Sequence, residues 1–334
     1  MGSDSPFLEQ VFAKASANPH HIVLPEGEDN RIIQAAILAA RKGIAEITLL
    51  GSPAKIQPVI EDSAKSPLNL TVVDPSSSPW LEEYTNELVR IRQHKGVNRE
   101  EARNTVLQPL GYAAMMVKLG HADGTIGGAV HTTADTLRAA LQIIGRSSDV
   151  DTVSSFFIMI ADKPYHPFHG PVIFADCAMV IDPTAMQLAQ IGENAALSAS
   201  TVLGIKPKVA FLSFSTAGSG SHEKVQRIQE AINIAIAKYP DWIIGRELQF
   251  DAALDPLLRQ RKAPDLDLDK PPNVFIFPNL DAGNIGYKIA ERIGGMKAVG
   301  PVLQGLAKPA NDLSRGSKIE DILSLIAITG LQVP

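Results

Sequence analysis

A single cysteine, Cys177, stands in 334 residues, so no intramolecular disulfide framework can form. The eight histidines are scattered, and none of the Cys/His spacings of a zinc site is present, so no metal is expected. No run of about 18 uncharged apolar residues exists to span a bilayer. The amino end, MGSDSPFLEQ, has neither the basic start nor the apolar core of a signal peptide, and a cytoplasmic protein is expected. A net charge of −5 and the lack of a basic tract leave no footprint for nucleic acid or an anionic membrane. Any anionic ligand must then be met by locally gathered arginines. Internal repeats and low-complexity tracts are absent as well.

What is present is an ordinary globular composition, 45% hydrophobic and 20% charged, in a chain longer than one core usually supports. Two domains are expected. Short apolar runs alternate with longer amphipathic ones: HIVLP (21–25), EITLLG (46–51), LTVVDP (70–75), GTIGGA (124–129), SSFFIMI (154–160), PVIFA (171–175), KVAFLSF (208–214) and NVFIFP (273–278). Between them lie helical patterns at 30–43, 99–120, 183–204 and 222–239. Nearly continuous apolar strands separated by helices are what a mostly parallel sheet covered on both faces requires, so the fold class is α/β. GRSSDVDTVSS (145–155) interrupts the rhythm and marks the expected junction. One domain is expected over 1–148 with the carboxyl-terminal stretch 307–334, the other over 149–306. KAPDLDLDKPP (262–272) reads as a solvated loop.

Several segments offer anion chemistry. In NDLSRGSKIED (311–321), Ser317 and Glu320 form an S-x-x-E capping box, Ile319, Ile322, Leu323 and Ile326 make an apolar face, and Gly330 supplies a stop. A helix over about 318–329 follows. Gly316 lets the chain turn sharply, so Ser314 and Arg315 share the space at the helix amino end, where anions are favoured. Asp321 falls in the first turn, where it either complements the helix dipole with Arg315 as a surface partner or serves chemistry.

In GGAVHTTADTLRAALQII (127–144), Thr132 and Thr133 are possible N-caps, and hydroxyls, free amides and Arg138 suit a phosphate or carboxylate. The alternative is an ordinary capped helix. His131 reads as a polar loop residue, because no orienting partner lies nearby in sequence. FLSFSTAGSGSHEKV (211–225), with Ser219 in its loop, has the general form of a phosphate cradle but lacks both G-x-x-x-x-G-K-[ST] and G-x-G-x-x-G. NLDAGNIGYKIAERIGG (279–295) offers Asn284 as a cap and Arg292 two turns on, and VRIRQHKG (89–96) reads as a basic helix end. In an open α/β sheet such turns gather at the carboxyl ends of the strands, and four of them with arginines suggest a ligand with more than one phosphate group.

ADGTIGGAVHTTADTLRAALQII, KVAFLSFSTAGS, ELQFDAAL, NVFIFPNLDAGNIGYKIAERIGG, LQGLAKPANDLSRGSKIEDI and IVLPEGEDNRI together resemble the phosphate acetyltransferase (phosphotransacetylase) family over essentially the whole chain. The resemblance implies two three-layer α/β/α domains related to isocitrate and isopropylmalate dehydrogenases, a homodimer, and an active site in the interdomain cleft. It also implies the reversible reaction of acetyl-CoA and phosphate to acetyl phosphate and CoA, with CoA a substrate, no permanently bound cofactor, and coupling to acetate kinase. Carried over by position, the family's base falls on Asp321 and its S-R-G serine and arginine on Ser314 and Arg315. Phosphate-contacting arginines fall on Arg92, Arg138 and Arg292. The chain departs from the family at Ser317, often Cys there, so a thiol at that position is not essential here, and at Gly245–Arg246, where Asp-Gly is common.

The chemistry asks for a base, since a thiol near pKa 8.5 is only a few per cent ionised at neutral pH. An ordinary aspartate near 3.9 would take that proton uphill by roughly 6 kcal/mol, so Asp321 is expected to be partly desolvated or to act in concert with attack. Direct transfer in a ternary complex is expected. Cys177 has no histidine adjacent in sequence and is a poor nucleophile candidate. The alternatives are a phosphate butyryltransferase, a non-catalytic acyl-CoA-sensing domain, and, from fold analogy alone, an NAD-dependent decarboxylating dehydrogenase.

Overall fold

Helices and short apolar strands alternate along the chain. The first stretch comprises α1 (Pro6–Ala17), β1 (His20–Leu24), α2 (Asn30–Arg41), β2 (Ala45–Leu50), α3 (Pro53–Ser63), β3 (Leu70–Val73), α4 (Leu81–Arg92), α5 (Arg99–Leu107), α6 (Pro109–Leu119), β4 (Gly124–Gly127) and α7 (Thr133–Ala139). The next holds β5 (Ser154–Ala161), β6 (Gly170–Ala175), α8 (Ala185–Ser198), β7 (Val209–Phe211), α9 (Glu223–Lys238), α10 (Phe250–Leu254), α11 (Pro256–Lys262), β8 (Val274–Ile276), α12 (Leu280–Arg292) and β9 (Lys297–Gln304). β10 (Ala310–Asp312) and α13 (Ile319–Leu331) follow. This computed structural model describes residues 5–63, 68–266, 268 and 271–334. None of its helices is long and apolar enough to cross a membrane.

The chain forms two compact units, Met1–Ser148 with Leu306–Pro334, and Asp149–Gly305. The first holds an all-parallel sheet in the order β10-β4-β1-β2-β3. The second holds β7-β8-β6-β5-β9, in which β7, β8 and β6 run parallel while β5 is antiparallel to both β6 and β9. One hydrophobic cluster of the first unit gathers Tyr84, Tyr112, Met115 and Ile143, and one of the second gathers Phe157, Phe174, Phe275 and Leu248.

Four expectations need correction. The pattern at 99–120 is two helices, because Gln108, held extended ahead of Pro109 at φ −75° and ψ 137°, cannot continue α5. The last helix is buried along the whole run from Ile322 to Gly330 rather than on one face, since it packs on β4 and β1 and also on α1 and α2. Gly330 lies inside that helix, which ends at Leu331. Segment 262–272 is not simply solvated: Leu266 and Leu268 pack against the second core, while 267, 269 and 270 lie outside the described residues, as do 1–4.

Ile326, fully buried in α13, tests the weight of this packing. Ile326→Ala is expected to destabilise the first unit by about 2–5 kcal/mol. Urea unfolding checks it, and an unchanged transition contradicts the placement of α13.

Candidate active site

The parallel register Ala310↔Thr125, Asn311↔Ile126 and Asp312↔Gly127 sets the carboxyl ends of β10 and β4 side by side, and Leu313 N–H donates to the Gly127 carbonyl at 2.7 Å. β1 lies on the other side of β4. The loops after these three strands therefore share one edge of the sheet, where open α/β folds collect ligands. A cavity of about 200 Å³ opens at that edge, lined by Pro25, Glu26, Leu50, Gly51, Val130 and His131 among others.

Glu26, from the loop after β1, is buried and accepts the backbone N–H groups of Ala129 (2.7 Å), Val130 (2.9 Å) and His131 (2.7 Å). It also meets His131 Nδ1 at 2.8 Å. The amides expected to be free for a phosphate are thus held by an internal carboxylate. His131 does have an orienting partner, 105 residues away in sequence and so invisible to local inspection. The pairing leaves its other ring nitrogen directed away from Glu26, beside the cavity.

Asp312, the last residue of β10, is buried, and its Oδ2 accepts the Thr133 hydroxyl at 2.7 Å. Its Oδ1 finds no hydrogen-bond partner among the described residues. Burial pushes its pKa up to about 6, opposed by the Thr133 and Thr136 hydroxyls and helped by the charge of Glu26. Gly128, at φ +104°, passes so close that a Cβ there would stand 2.3 Å from that Oδ1.

After Asp312 the chain forms a tight turn in which Ser317 N–H donates to the Ser314 carbonyl (2.9 Å) and Gly316 N–H to Ser314 Oγ (3.2 Å). Ser314 and Arg315 are exposed, and the Arg315 guanidinium has no hydrogen-bond or ion-pair partner among the described residues. Gly316 does not take a positive φ, and a Cβ on it would meet only Ser314 Oγ, at 3.8 Å, so the turn itself does not demand glycine. The expected capping box is displaced by one residue. Lys318 is the N-cap, and Asp321 Oδ2, not Glu320, accepts its N–H at 2.9 Å. Asp321 is half-buried in the first turn of α13, and no ion pair joins it to Arg315 among the described residues.

The other expected site residues are placed as follows. Thr132 caps α7, accepting Asp135 N–H at 3.2 Å, and Thr133 is bound to Asp312. Arg138 pairs with Asp135 at 2.7 Å. Arg92 ends α4 half-buried, with no hydrogen bond to the Ser314 turn among the described residues. Thr133 is thus the residue that joins the α7 end to the Ser314 segment, through Asp312.

In the second unit, Ser219 Oγ accepts Thr216 N–H at 3.0 Å. The cradle-like loop around it is filled from within: buried Glu247 accepts Ser215 Oγ (2.8 Å) and Gly218 N–H (2.7 Å). Asn284 is not a cap. Asn279 caps α12, while Asn284 donates to the Cys177 carbonyl at 3.0 Å and accepts Lys288 Nζ at 2.7 Å. Arg292 is accordingly the last residue of α12, about 12 Å along the axis from Asn284, with Glu291 at 3.2 Å. Cys177 is buried, and burial, with neighbouring Asp176 adding to it, pushes its thiol well above the ordinary range.

Sequence reasoning passed over four residues that organise these loops: Glu26, Arg31, Asp312 and Glu247. Arg31 donates from α2 into the Ser314 turn. All four lie in segments of clear family likeness, but their partners are distant in the chain.

Exposed hydroxyl and guanidinium groups thus stand on a turn just ahead of a helix-borne carboxylate, on an α/β unit. Residues 6–330 match the family described as Phosphate acetyl/butaryl transferase, and the chain belongs to that family. A phosphate acetyltransferase of Paracoccus denitrificans is 48% identical over 325 residues, covering 97% of this chain and 98% of that protein. A phosphotransacetylase structure from Streptococcus pyogenes matches with a TM-score of 0.91 at 39% identity over 99% of both chains. At 13% identity and a TM-score of 0.54, covering 94% of this chain and 99% of the other, a Salmonella typhimurium chain described as a 4-hydroxythreonine-4-phosphate dehydrogenase shares the fold alone.

Asp312 has a consequence for stability. Its folded pKa lies above the unfolded value, so the folded state holds a proton that the unfolded state loses first, and stability falls as pH rises from about 4 to about 6. Above that window the ionised carboxyl costs about 3 kcal/mol. Asp312→Asn is expected to remove this component, so that the wild-type-minus-variant difference in urea unfolding changes across that window and is flat above it. A constant difference from pH 4 to 8 contradicts the assignment.

Proposed function

We propose that this chain is a phosphate acetyltransferase, moving an acetyl group between the CoA thiol and inorganic phosphate. One observation carries the reading: Ser314 and Arg315 stand exposed on a turn that runs directly into the amino end of α13, with Asp321 in its first turn. In this reading Asp321 takes the thiol proton through Oδ1, since Oδ2 is bound to Lys318 N–H. Proton removal accompanies attack of sulfur on the acetyl carbonyl, so that no free thiolate has to form first. Arg315 and the amino end of α13 stabilise the oxyanion as it develops, and Ser314 holds the thiol or that oxygen. Phosphate leaves as the carbonyl re-forms. No acyl-enzyme is invoked, and buried Cys177, whose thiol is held protonated, is unsuited to carrying one.

Arg92, Arg138 and Arg292 enter the proposal as phosphate contacts, with Thr132, Thr133, Ser219 and Asn284 as supporting polar groups. Arg138 would exchange its exposed Asp135 pair for a substrate phosphate, an exchange that disturbs little because exposed pairs contribute about 0–1 kcal/mol. The relatives named phosphate acetyltransferase favour acetyl over butyryl as the acyl group. The proposal includes a cytoplasmic homodimer working beside acetate kinase. For the dimer, α12 and its end offer a surface: Ile285, Ile289 and Ile293, spaced four residues apart, are 57%, 53% and 83% exposed.

Thioester formation from acetyl phosphate and CoA tests the reading. The wild type is expected to be active, and Asp321→Asn and Arg315→Ala each to lower kcat by about 10²–10³-fold while remaining folded. Acetyl-CoA binding without any wild-type turnover would sink the enzyme and favour a sensor. Ile289→Glu is expected to convert a dimer to a monomer in light scattering, and an unchanged mass contradicts that surface.

A further inference from the structure

Arg31 joins the Ser314 turn to α2 and to the loop after β4. Its guanidinium has five N–H donors, and all five are engaged. Nε and one Nη donate to the two oxygens of Asp29 at 3.1 and 2.8 Å. That same Nη also donates to the Ala129 carbonyl at 3.0 Å, in the loop after β4. The other Nη donates to the carbonyls of Arg315 (2.7 Å) and Ser317 (3.1 Å). Asp29, which also caps α2 through Arg31 N–H at 2.8 Å, fixes the direction of the fork. The guanidinium in turn holds the Asp29 carboxyl below its ordinary pKa range, against the effect of burial.

The turn has little else to hold it. Between Leu313 and Lys318 its own hydrogen bonds are internal, and among the described residues the bonds that reach it from elsewhere come from Arg31. The peptide unit between Arg315 and Gly316 makes the coupling specific. Its carbonyl accepts from Arg31, and its N–H, on the opposite side of a planar trans unit, donates to Ser314 Oγ. One rigid plane thus carries the orientation of Arg31 to the Ser314 hydroxyl and sets where the Arg315 side chain leaves the main chain.

We propose that Arg31 is a positioning residue for the transfer reaction, acting through the Arg315–Gly316 peptide on the Ser314 hydroxyl and the Arg315 guanidinium. The proposal rests on the functional reading above. A lysine cannot replace it, because a single ammonium on a flexible stem lacks the fork that meets Asp29 and three carbonyls at once.

The test is a double-mutant cycle in acetyl phosphate and CoA kinetics, using Arg31→Gln, Arg315→Ala and the pair. Misplacement of a catalytic group by about 1 Å can lower turnover on the order of 10²-fold. Arg31→Gln is therefore expected to lower kcat by about that factor, with KM for both substrates within about threefold of wild type. Added to Arg315→Ala it should lower kcat by clearly less than it does in the wild type, since one of the two groups it positions is gone and the Ser314 hydroxyl remains. A purely structural role would instead multiply the two losses, and that result, or full kcat in Arg31→Gln, overturns the proposal. If Arg315→Ala itself keeps wild-type kcat, the functional reading of the turn falls, and this inference falls with it. Should Arg31→Gln fail to fold, Arg31→Lys takes its place in the same cycle, with the same expected and overturning results.

Discussion

The pairing of β10 with β4 is the constraint on which the first unit depends. It binds residues 310–312 to 125–127 and so returns the carboxyl-terminal stretch to a sheet built from the amino-terminal third. α13 then follows as the helix that covers that sheet between β4 and the helices α1 and α2. The turn joining β10 to α13 must therefore pass over the strand ends, beside the loops that carry Glu26 and Thr133. Remove the pairing and Ser314, Arg315 and Asp321 have no fixed relation to Arg31 or Asp312. The candidate site is a by-product of how the sheet is closed at its edge.

A second regularity is the internal carboxylate that fills a cluster of donors. Glu26 takes the amides of 129–131, Asp176 those of 178–180, and Glu247 that of Gly218 with the Ser215 hydroxyl. A buried loop amide without a partner is destabilising, and a carboxylate that accepts several at once satisfies them while fixing the loop's shape. The Gly/Ser/Thr-rich loops that look like anion cradles are in this protein already occupied by the protein's own anions. The guanidinium of Arg315, by contrast, has no partner among the described residues.

The architecture was legible because a short, nearly continuous apolar run between two helical patterns fits little besides a buried strand, and eight such runs corresponded to β1 through β8 within a few residues. β9 and β10 were not found. β10 is three residues long, two of them polar, and its Asn311 is buried because its amide donates to Thr329 and Gln332 around the end of α13. No local pattern announces such a strand. Asp321 was placed correctly in the first turn of α13, but the cap was assigned one residue early, since serine is the better capping side chain and here the backbone of Lys318 is capped instead. The Glu26–His131 pair and the Arg31 fork are contacts across long stretches of chain, which period and propensity do not register. A local trace of the fork did exist, an aspartate at the N-cap of α2 with an arginine two residues on.

Because β10 and α13 complete a sheet begun with β1, the first unit cannot close while the chain is still being translated through residues 149–305. The intervening unit, contiguous in sequence, is free to fold as it emerges. Until residues 306–334 arrive, the apolar surface of β4 and α2 that α13 will cover stays open to water and to other nascent chains. A premature stop between residues 306 and 313 would release a polypeptide that has a finished second unit, an uncovered first one, and no Ser314 turn.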